Sequence, residues 1–250
     1  MLTIKQDAFG LGILEYFEHR SDQNEIVERD DGLISVGFGP AIYFDEFPNW
    51  PPLEKKAAAL VRGRVLDVGC GAGRVSLYLQ NKGHPVTGID LSPLAIKVCK
   101  KRGVKDARVL SITQVTKSLG PFDTIVMFGN NFGLFGNFKR ARWLLKKFYN
   151  MTSDNARILA ESLDPYDTKE KMHKDYHRRN RNRGRMSGQV RLRVRYKKSA
   201  TPWFDYLFVS KKEAIQIVSG TGWRLAETIK SERPGRPSPA HILVLEKEPA

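Results

Sequence analysis

Val65-Leu66-Asp67-Val68-Gly69-Cys70-Gly71-Ala72-Gly73-Arg74 is the stretch that decides how this chain is read. Val65, Leu66 and Val68 make a short apolar strand broken by one acid, and three glycines then turn the chain into a helical pattern at residues 74–81. Glycine suits such a turn because the backbone must bend sharply and approach a ligand with no Cβ in the way. Working outward, residues 85–90 form a second strand. Residues 92–102 form a helix with Pro93 in the first turn, where proline is tolerated. Residues 107–111 and 122–128 read as strands three and four. Residues 137–150 are an amphipathic helix, because Phe138, Ala141, Leu144, Leu145 and Phe148 recur at helical spacing. Residues 156–162 are strand five. Ser210-Lys211-Lys212-Glu213 is a capping-box pattern that opens a last helix, and residues 223–229 and 241–248 close the series as strands. Strands alternating with helices imply a largely parallel sheet covered on both faces.

The flanking segments carry the rest of the organisation. Residues 1–60 are expected to be an N-terminal cap, with a helix at 7–19 and a hairpin at 25–38 around Asp30-Asp31-Gly32. Pro48, Pro51 and Pro52 then precede a helix at 53–61. Residues 61–250 form the main domain, interrupted by an insertion at 163–209. Within it, residues 169–198 hold 13 Lys and Arg against Glu170 and Asp175 alone, a net of +11 out of +15 for the whole chain. Val190, Leu192, Val194 and Tyr196 alternate there with Arg191, Arg193, Arg195 and Lys197, which predicts a β-hairpin insertion with one basic face.

A 41% hydrophobic and 10% aromatic content fits an ordered globular protein. No apolar run approaches the roughly 20 residues of a membrane span, and residues 1–10 carry Lys5 and Asp7 where a signal peptide would be apolar. A soluble, cytoplasmic protein is expected. Two cysteines do not make a disulfide scaffold or, with the five histidines, a metal site, so Cys70 and Cys99 are read as reduced, packed thiols and no metal is expected.

About twenty residues after the glycines, the second strand ends at Asp90, placed to accept hydrogen bonds from both hydroxyls of a ribose. A dinucleotide loop reads G-x-G-x-x-G, whereas this one reads G-x-G-x-G, and Asp67 stands two residues ahead of Gly69. A carboxylate there repels a diphosphate and suits a ligand that carries an ammonium and a sulfonium. The charge argument favours S-adenosylmethionine over a nicotinamide dinucleotide.

Residues 65–74 resemble motif I, and Gly88-Ile89-Asp90-Leu91-Ser92-Pro93 resembles motif II, of the class I S-adenosylmethionine-dependent methyltransferases. The resemblance implies an α/β fold, a Rossmann-like doubly wound sheet of seven strands with the last one antiparallel, and methyl transfer as the activity. It implies that Asp67, Gly69 and Gly71, with Cys70 and Gly73 in the same loop, lie against the methionine part of the cofactor. Asp90 would hold the ribose and Leu91 pack on the adenine. Ser111 ends strand three where many members carry an acid for the adenine amino group, and Ile112 either stacks on the ring or is an ordinary core residue. Phe128 and Gly129 complete the expected cofactor set. The stretch 128–136, FGNNFGLFG, lacks the prolines of the (D/N/S)-P-P-(Y/F) motif and is weakly similar to the G-N-S-F of glycine-type N-methyltransferases. Asn130 or Asn131 either positions an acceptor nitrogen or oxygen, or is a turn residue tolerating positive φ.

The acceptor is expected to be a small anionic molecule, bound by Arg179, Arg181 and Arg183 together with Tyr43, and methylated on N or O. RNA is the alternative, its phosphates tracked by the insertion and its bases stacked on Tyr176, Tyr196, Trp203 or Phe204. A solvated basic surface is the third reading, and a silent RNA-binding protein on the same fold is a further rival. Tyr43, His173, Tyr176 and His177 are candidate general bases. The acceptor's identity and the oligomeric state are left open.

Overall fold

The computed structural model describes residues 2–21, 23–230 and 239–248 of the chain. Its elements in order are α1 (Ala8–His19), β1 (Ile26–Arg29), β2 (Ile34–Val36), α2 (Pro52–Ala58), β3 (Val65–Val68), α3 (Arg74–Asn81), β4 (Val86–Asp90), α4 (Pro93–Lys101), β5 (Ala107–Val109), β6 (Phe122–Met127), α5 (Phe138–Asn150) and β7 (Thr152–Leu163). There follow α6 (Lys171–Asn182), β8 (Gln189–Tyr196), β9 (Ser199–Ala200), β10 (Phe204–Leu207), α7 (Lys211–Val218), β11 (Trp223–Lys230) and β12 (Ala240–Lys247).

Seven strands form one sheet in the order β11-β12-β7-β6-β3-β4-β5, and β12 runs antiparallel to both β7 and β11. The pairs β3–β4, β4–β5 and β6–β7 are parallel. This is the expected doubly wound sheet with its last strand reversed. Val65, Leu66, Ile125, Val126, Ile158, Leu159, Leu243 and Leu245 are buried completely. Each such side chain stabilises the fold by about 1.5–3 kcal/mol relative to exposure. Side-chain caps set the helix starts: Ser92 accepts the Ala95 N–H at 2.9 Å, and Ser210 with Glu213 closes a capping box on α7.

By contacts the chain divides into two compact units that do not follow sequence order. The first holds Met1–Trp50, Arg64–Val115 and Arg191–Phe204. In it α1 starts at Asp7, whose side chain accepts the Gly10 N–H at 3.0 Å. The expected hairpin is present: β1 and β2 pair antiparallel, with Gly32 N–H returning to the Arg29 carbonyl at 2.9 Å. Phe47 stacks on Tyr78 of α3 at 4.2 Å between ring centroids, and the Arg74 guanidinium lies 4.8 Å over the buried Trp50 ring. The second unit holds Pro51–Gly63, Thr116–Val190 and Asp205–Ala250. There Trp223 is fully buried and donates its indole N–H to the Leu145 carbonyl at 2.9 Å.

The insertion is richer than a hairpin. Strand β8 does turn back through β9, but it also pairs antiparallel with β1, so that Ile26 faces Arg195 and Glu28 faces Arg193. A second sheet, β10-β8-β1-β2, joins the insertion to the N-terminal hairpin. Residues 171–182, where no element was expected, form α6. Its buried positions are Tyr176, His177 and Asn180, only one of them strongly hydrophobic, so the period of an ordinary amphipathic helix is faint. Asn180 supplies the missing hold by donating to the carbonyls of Ser187 and Gln189 at 3.1 and 2.6 Å.

Candidate active site

In the first unit the end of β3 and the end of β4 meet at the glycine loop. The Gly69 and Cys70 N–H groups both donate to the Ile89 carbonyl, at 2.8 and 3.1 Å. Gly71 has φ +54° and lies under Tyr43, whose Cδ1 would stand 3.1 Å from a Cβ placed there. A side chain at Gly71 would be strained in the backbone and would press on the ring. The Gly71 N–H donates to Asp90 Oδ2 at 3.0 Å, and the Ser92 N–H donates to Asp90 Oδ1 at 2.9 Å. Asp67 accepts the Ser76 hydroxyl at 2.6 Å. Burial pushes Asp67 up to about 6 against the pull of Ser76 and Arg74, and burial also raises Asp90.

Two desolvated carboxylates beside a glycine loop are the wrong lining for a diphosphate and a fitting one for a sulfonium and an ammonium. Gly73 is the N-cap of α3, and Leu91, 46% exposed, presents a free apolar face. Ser111 caps the short 3-10 turn Ile112–Gln114, and both Ser111 and Ile112 are half-buried. The Cys70 side chain turns away into the core against Ile96, Cys99, Val104 and Ala107, leaving its backbone on the loop. Both cysteines are free and buried, and the Cys70 thiol is raised well above its ordinary value by its hydrogen bond with Cys99 and by burial.

Tyr43, expected on the acceptor side, stands on the cofactor loop. Arg102 fixes it there by donating to the Tyr43 carbonyl at 3.3 Å and the Ala72 carbonyl at 2.7 Å, with its guanidinium 4.8 Å over Phe44. Burial raises the Tyr43 hydroxyl, and the Glu25 and Asp90 carboxylates add to the effect.

In the second unit Phe128 is buried, Gly129 is exposed, and Asn130 has φ +63° at the start of the 3-10 turn Asn131–Phe135. Asn130 thus has the positive φ of a turn residue, yet its Oδ1 is buried with no hydrogen bond among the described residues, so the side chain also offers an unused acceptor. The Tyr206 hydroxyl donates to the Asn130 carbonyl at 2.7 Å. Beneath this loop lies a pair that sequence reasoning missed. Glu161, in β7, accepts the Gly129 N–H at 2.6 Å and the Asn130 N–H. Its carboxyl also hydrogen-bonds to Glu54 of α2, and both residues are buried. Burial and the Glu54 charge push Glu161 up to about 8. The signal was a lone acid in the apolar run Ile158-Leu159-Ala160-Glu161; nothing in the sequence pointed to Glu54.

The basic insertion separates into two parts. On β8, Arg193 and Arg195 pair with Glu28, and Lys197 pairs with Glu15. On α6, Lys171 and Arg178 share Asp175, each at 2.7 Å. Arg179 lies 5.7 Å over the Tyr176 ring, Arg181 donates to Ser187 at 2.9 Å, and Arg183 follows the helix; all three are exposed. His177 and Tyr176 are buried and His173 is half-buried. Among the described residues no group of His, Cys, Asp or Glu is arranged to hold a metal, and no helix is long and apolar enough to cross a membrane.

Residues 65–155 match the family model of a methyltransferase domain. A 2-heptyl-1-hydroxyquinolin-4(1H)-one methyltransferase of Mycobacteroides abscessus is 39% identical over 72 residues, 26% of this chain and 32% of that protein. A ubiquinone biosynthesis O-methyltransferase of Xylella fastidiosa is 41% identical over 76 residues, 28% of this chain and 31% of that protein. These matches span about a third of the curated relatives' length. A solved structure, the S-adenosylmethionine-dependent methyltransferase of Bacteroides fragilis in complex with S-adenosyl-L-homocysteine, is similar over 100% of this chain and 98% of that one, with a TM-score of 0.83 and 25% identity. Matched domain, whole-chain likeness and the two loops at β3 and β4 together identify the fold as that of the class I S-adenosylmethionine-dependent methyltransferases.

Proposed function

We propose that the protein transfers a methyl group from S-adenosylmethionine to a nitrogen or oxygen of a small anionic molecule. The observation that carries the reading is the buried pair Asp67 and Asp90 around the Gly71 loop, a lining that calls for a cationic ligand. When bound, S-adenosylmethionine supplies a methyl already activated on its sulfonium. Asp67, Gly69, Cys70, Gly71 and Gly73 would receive the methionine end, and Asp90 the ribose. Leu91, Ser111 and Ile112 of the same unit would complete the cofactor's surroundings. Asn130 Oδ1 is free to accept a hydrogen bond from an N–H or O–H of the acceptor, and Asn131 follows it in the same turn. Aligning a nucleophile and excluding water is most of what the reaction asks of the protein.

The names of the two curated relatives describe methylation of small organic molecules, which supports a small acceptor. Arg179, Arg181 and Arg183 supply donors for an anionic group on it. RNA is retained as the second reading, because α6 carries its exposed cations along 12 residues, about 18 Å of helix, longer than a small anion needs. A tritium-transfer assay with labelled S-adenosylmethionine, run on an RNA-free metabolite extract and on purified total RNA, separates the two. Label in the metabolite fraction is expected. Label in RNA would replace the small-molecule reading, and label in neither would remove both.

A further inference from the structure

Strand β2 is the free edge of the second sheet. In the order β10-β8-β1-β2 it pairs with β1 alone among the described residues. The hairpin bonds show which of its main-chain groups are already used. The Leu33 carbonyl accepts the Arg29 N–H at 2.9 Å, and the Gly37 N–H donates to the Glu25 carbonyl at 2.8 Å. Leu33, Ser35 and Gly37 therefore turn their polar groups toward β1, and in an antiparallel ladder the residues between them turn theirs the other way. The N–H and C=O groups of Ile34 and Val36 lie along the open edge.

The side chains add a second observation. Ile34 and Val36 share one face of the sheet, and Phe38 continues the alternation. The three are 64, 66 and 85% exposed. Residues 32–44 contain no Asp, Glu, Lys or Arg, in a chain that is 28% charged. Free edges are commonly guarded by lysine, proline or another charged side chain, and β2 has none of these. At a net charge of +15 two copies of the chain repel one another, so this uncharged face is where close approach costs least. A lipid layer would cover the side chains but leave the Ile34 and Val36 main-chain groups without partners, which is costly. Another strand edge meets both needs.

We propose that β2 pairs antiparallel with β2 of a second copy of this chain, about a two-fold axis at Ser35, so that two sheets join edge to edge. The strand suits itself in that register. Ile34 of one copy faces Val36 of the other, and the same pair recurs on the far side of the axis. Both residues turn their polar groups outward, as a hydrogen-bonded pair requires, and Ser35 faces Ser35 in the non-hydrogen-bonded position between. The Ile34, Val36 and Phe38 side chains of both copies then form one continuous apolar face. Three such side chains per copy make a small contact, so the dimer is reversible rather than permanent. The inference does not depend on the identity of the methyl acceptor.

Sedimentation velocity of the full chain from about 1 to about 100 µM tests it, with melting curves to confirm that each variant folds. A concentration-dependent dimer is expected for the wild type. Ile34→Lys sets like charges across the axis, and Val36→Pro removes an outward N–H while sparing the bonds to β1. Each should raise the dimer Kd about tenfold or more. Ser35→Cys reports the register: its Cα atoms would lie about 4.5 Å apart, within disulfide reach. Oxidised glutathione should therefore link that variant into a covalent dimer and leave the wild type unlinked, since Cys70 and Cys99 are buried. A wild type that stays monomeric throughout, or a dimer that both Ile34→Lys and Val36→Pro leave unchanged, would overturn the proposal. A monomer that instead floats with phosphatidylglycerol vesicles would overturn it too, and make this face a lipid-docking surface.

Discussion

Asp7 and Ser92 are 85 residues apart in sequence, and the Ser92 hydroxyl donates to Asp7 Oδ2 at 2.8 Å. The same carboxylate accepts the Leu94 N–H at 3.1 Å and the Gly10 N–H at 3.0 Å, so one buried acid caps α1 and the first turn of α4 together. Negative charge at two helix N-termini is favourable, and each N–H it serves would otherwise be orphaned. Asp7→Ala should cost about 2 kcal/mol of unfolding free energy in urea titration, and Asp7→Asn, which retains an acceptor, less than half of that.

Asp90 is held by the Gly71 and Ser92 N–H groups, each on a different oxygen, and a carboxylate has acceptor capacity beyond these two for a ribose hydroxyl. Asp90→Ala should raise the Kd for S-adenosylmethionine about tenfold or more. Unchanged affinity in calorimetry would place the ribose elsewhere.

Burial lifts Asp67 to about 6. A cationic ligand favours its ionised form, so binding releases a proton below that pH and affinity for S-adenosylmethionine should climb from about pH 5 to about pH 7, then level. The Asp67→Asn variant should bind more weakly and lose most of the slope when Kd is measured across that range.

Glu161 is raised from 4.5 to about 8. Between those values the folded state keeps a proton that the unfolded chain gives up. Stability should therefore fall as pH rises through that window, by at most about 1.4 kcal/mol per pH unit, and flatten above it. Glu161→Gln should flatten the profile in thermal melts taken across the window. A Glu161→Gln profile as steep as the wild type's would assign the slope to other groups.

Arg179, Arg181 and Arg183 are exposed on and just after α6. Changing all three to Gln should leave stability within about 0.5 kcal/mol per site and leave the Kd for S-adenosylmethionine unchanged, while raising the acceptor KM. If the variant instead loses affinity for the cofactor, α6 has a structural role.

The main sheet was legible because its central strands carry apolar runs, as at Val65–Val68 and Phe122–Met127, and the loops at Gly69–Gly73 and Asp90–Pro93 carry their chemistry locally. Helix α6 was not legible, since Asn180 holds it by hydrogen bonds to Ser187 and Gln189 where a run of leucines would have shown a period. Strand β7 begins at Thr152, before the expected residue 156, because its first residues are polar on an already paired strand. The acids at the site divide the same way. Asp67 and Asp90 belong to motifs, whereas Asp7 and Glu54 acquire meaning from partners far along the chain, Leu94 at 87 positions from Asp7 and Glu161 in another element from Glu54.

Glu28 and Arg195 are ion partners across 167 residues, on strands β1 and β8 of the smaller sheet. During synthesis the N-terminal hairpin leaves the ribosome long before its partner strand exists, and it must wait with one edge unpaired. The same pairing binds the two segments in heredity. A gene lacking this hairpin and α1 that received residues 163–209 would gain Arg193 and Arg195 stripped of Glu28, and Lys197 stripped of Glu15. Strands β1 and β8 must therefore change together.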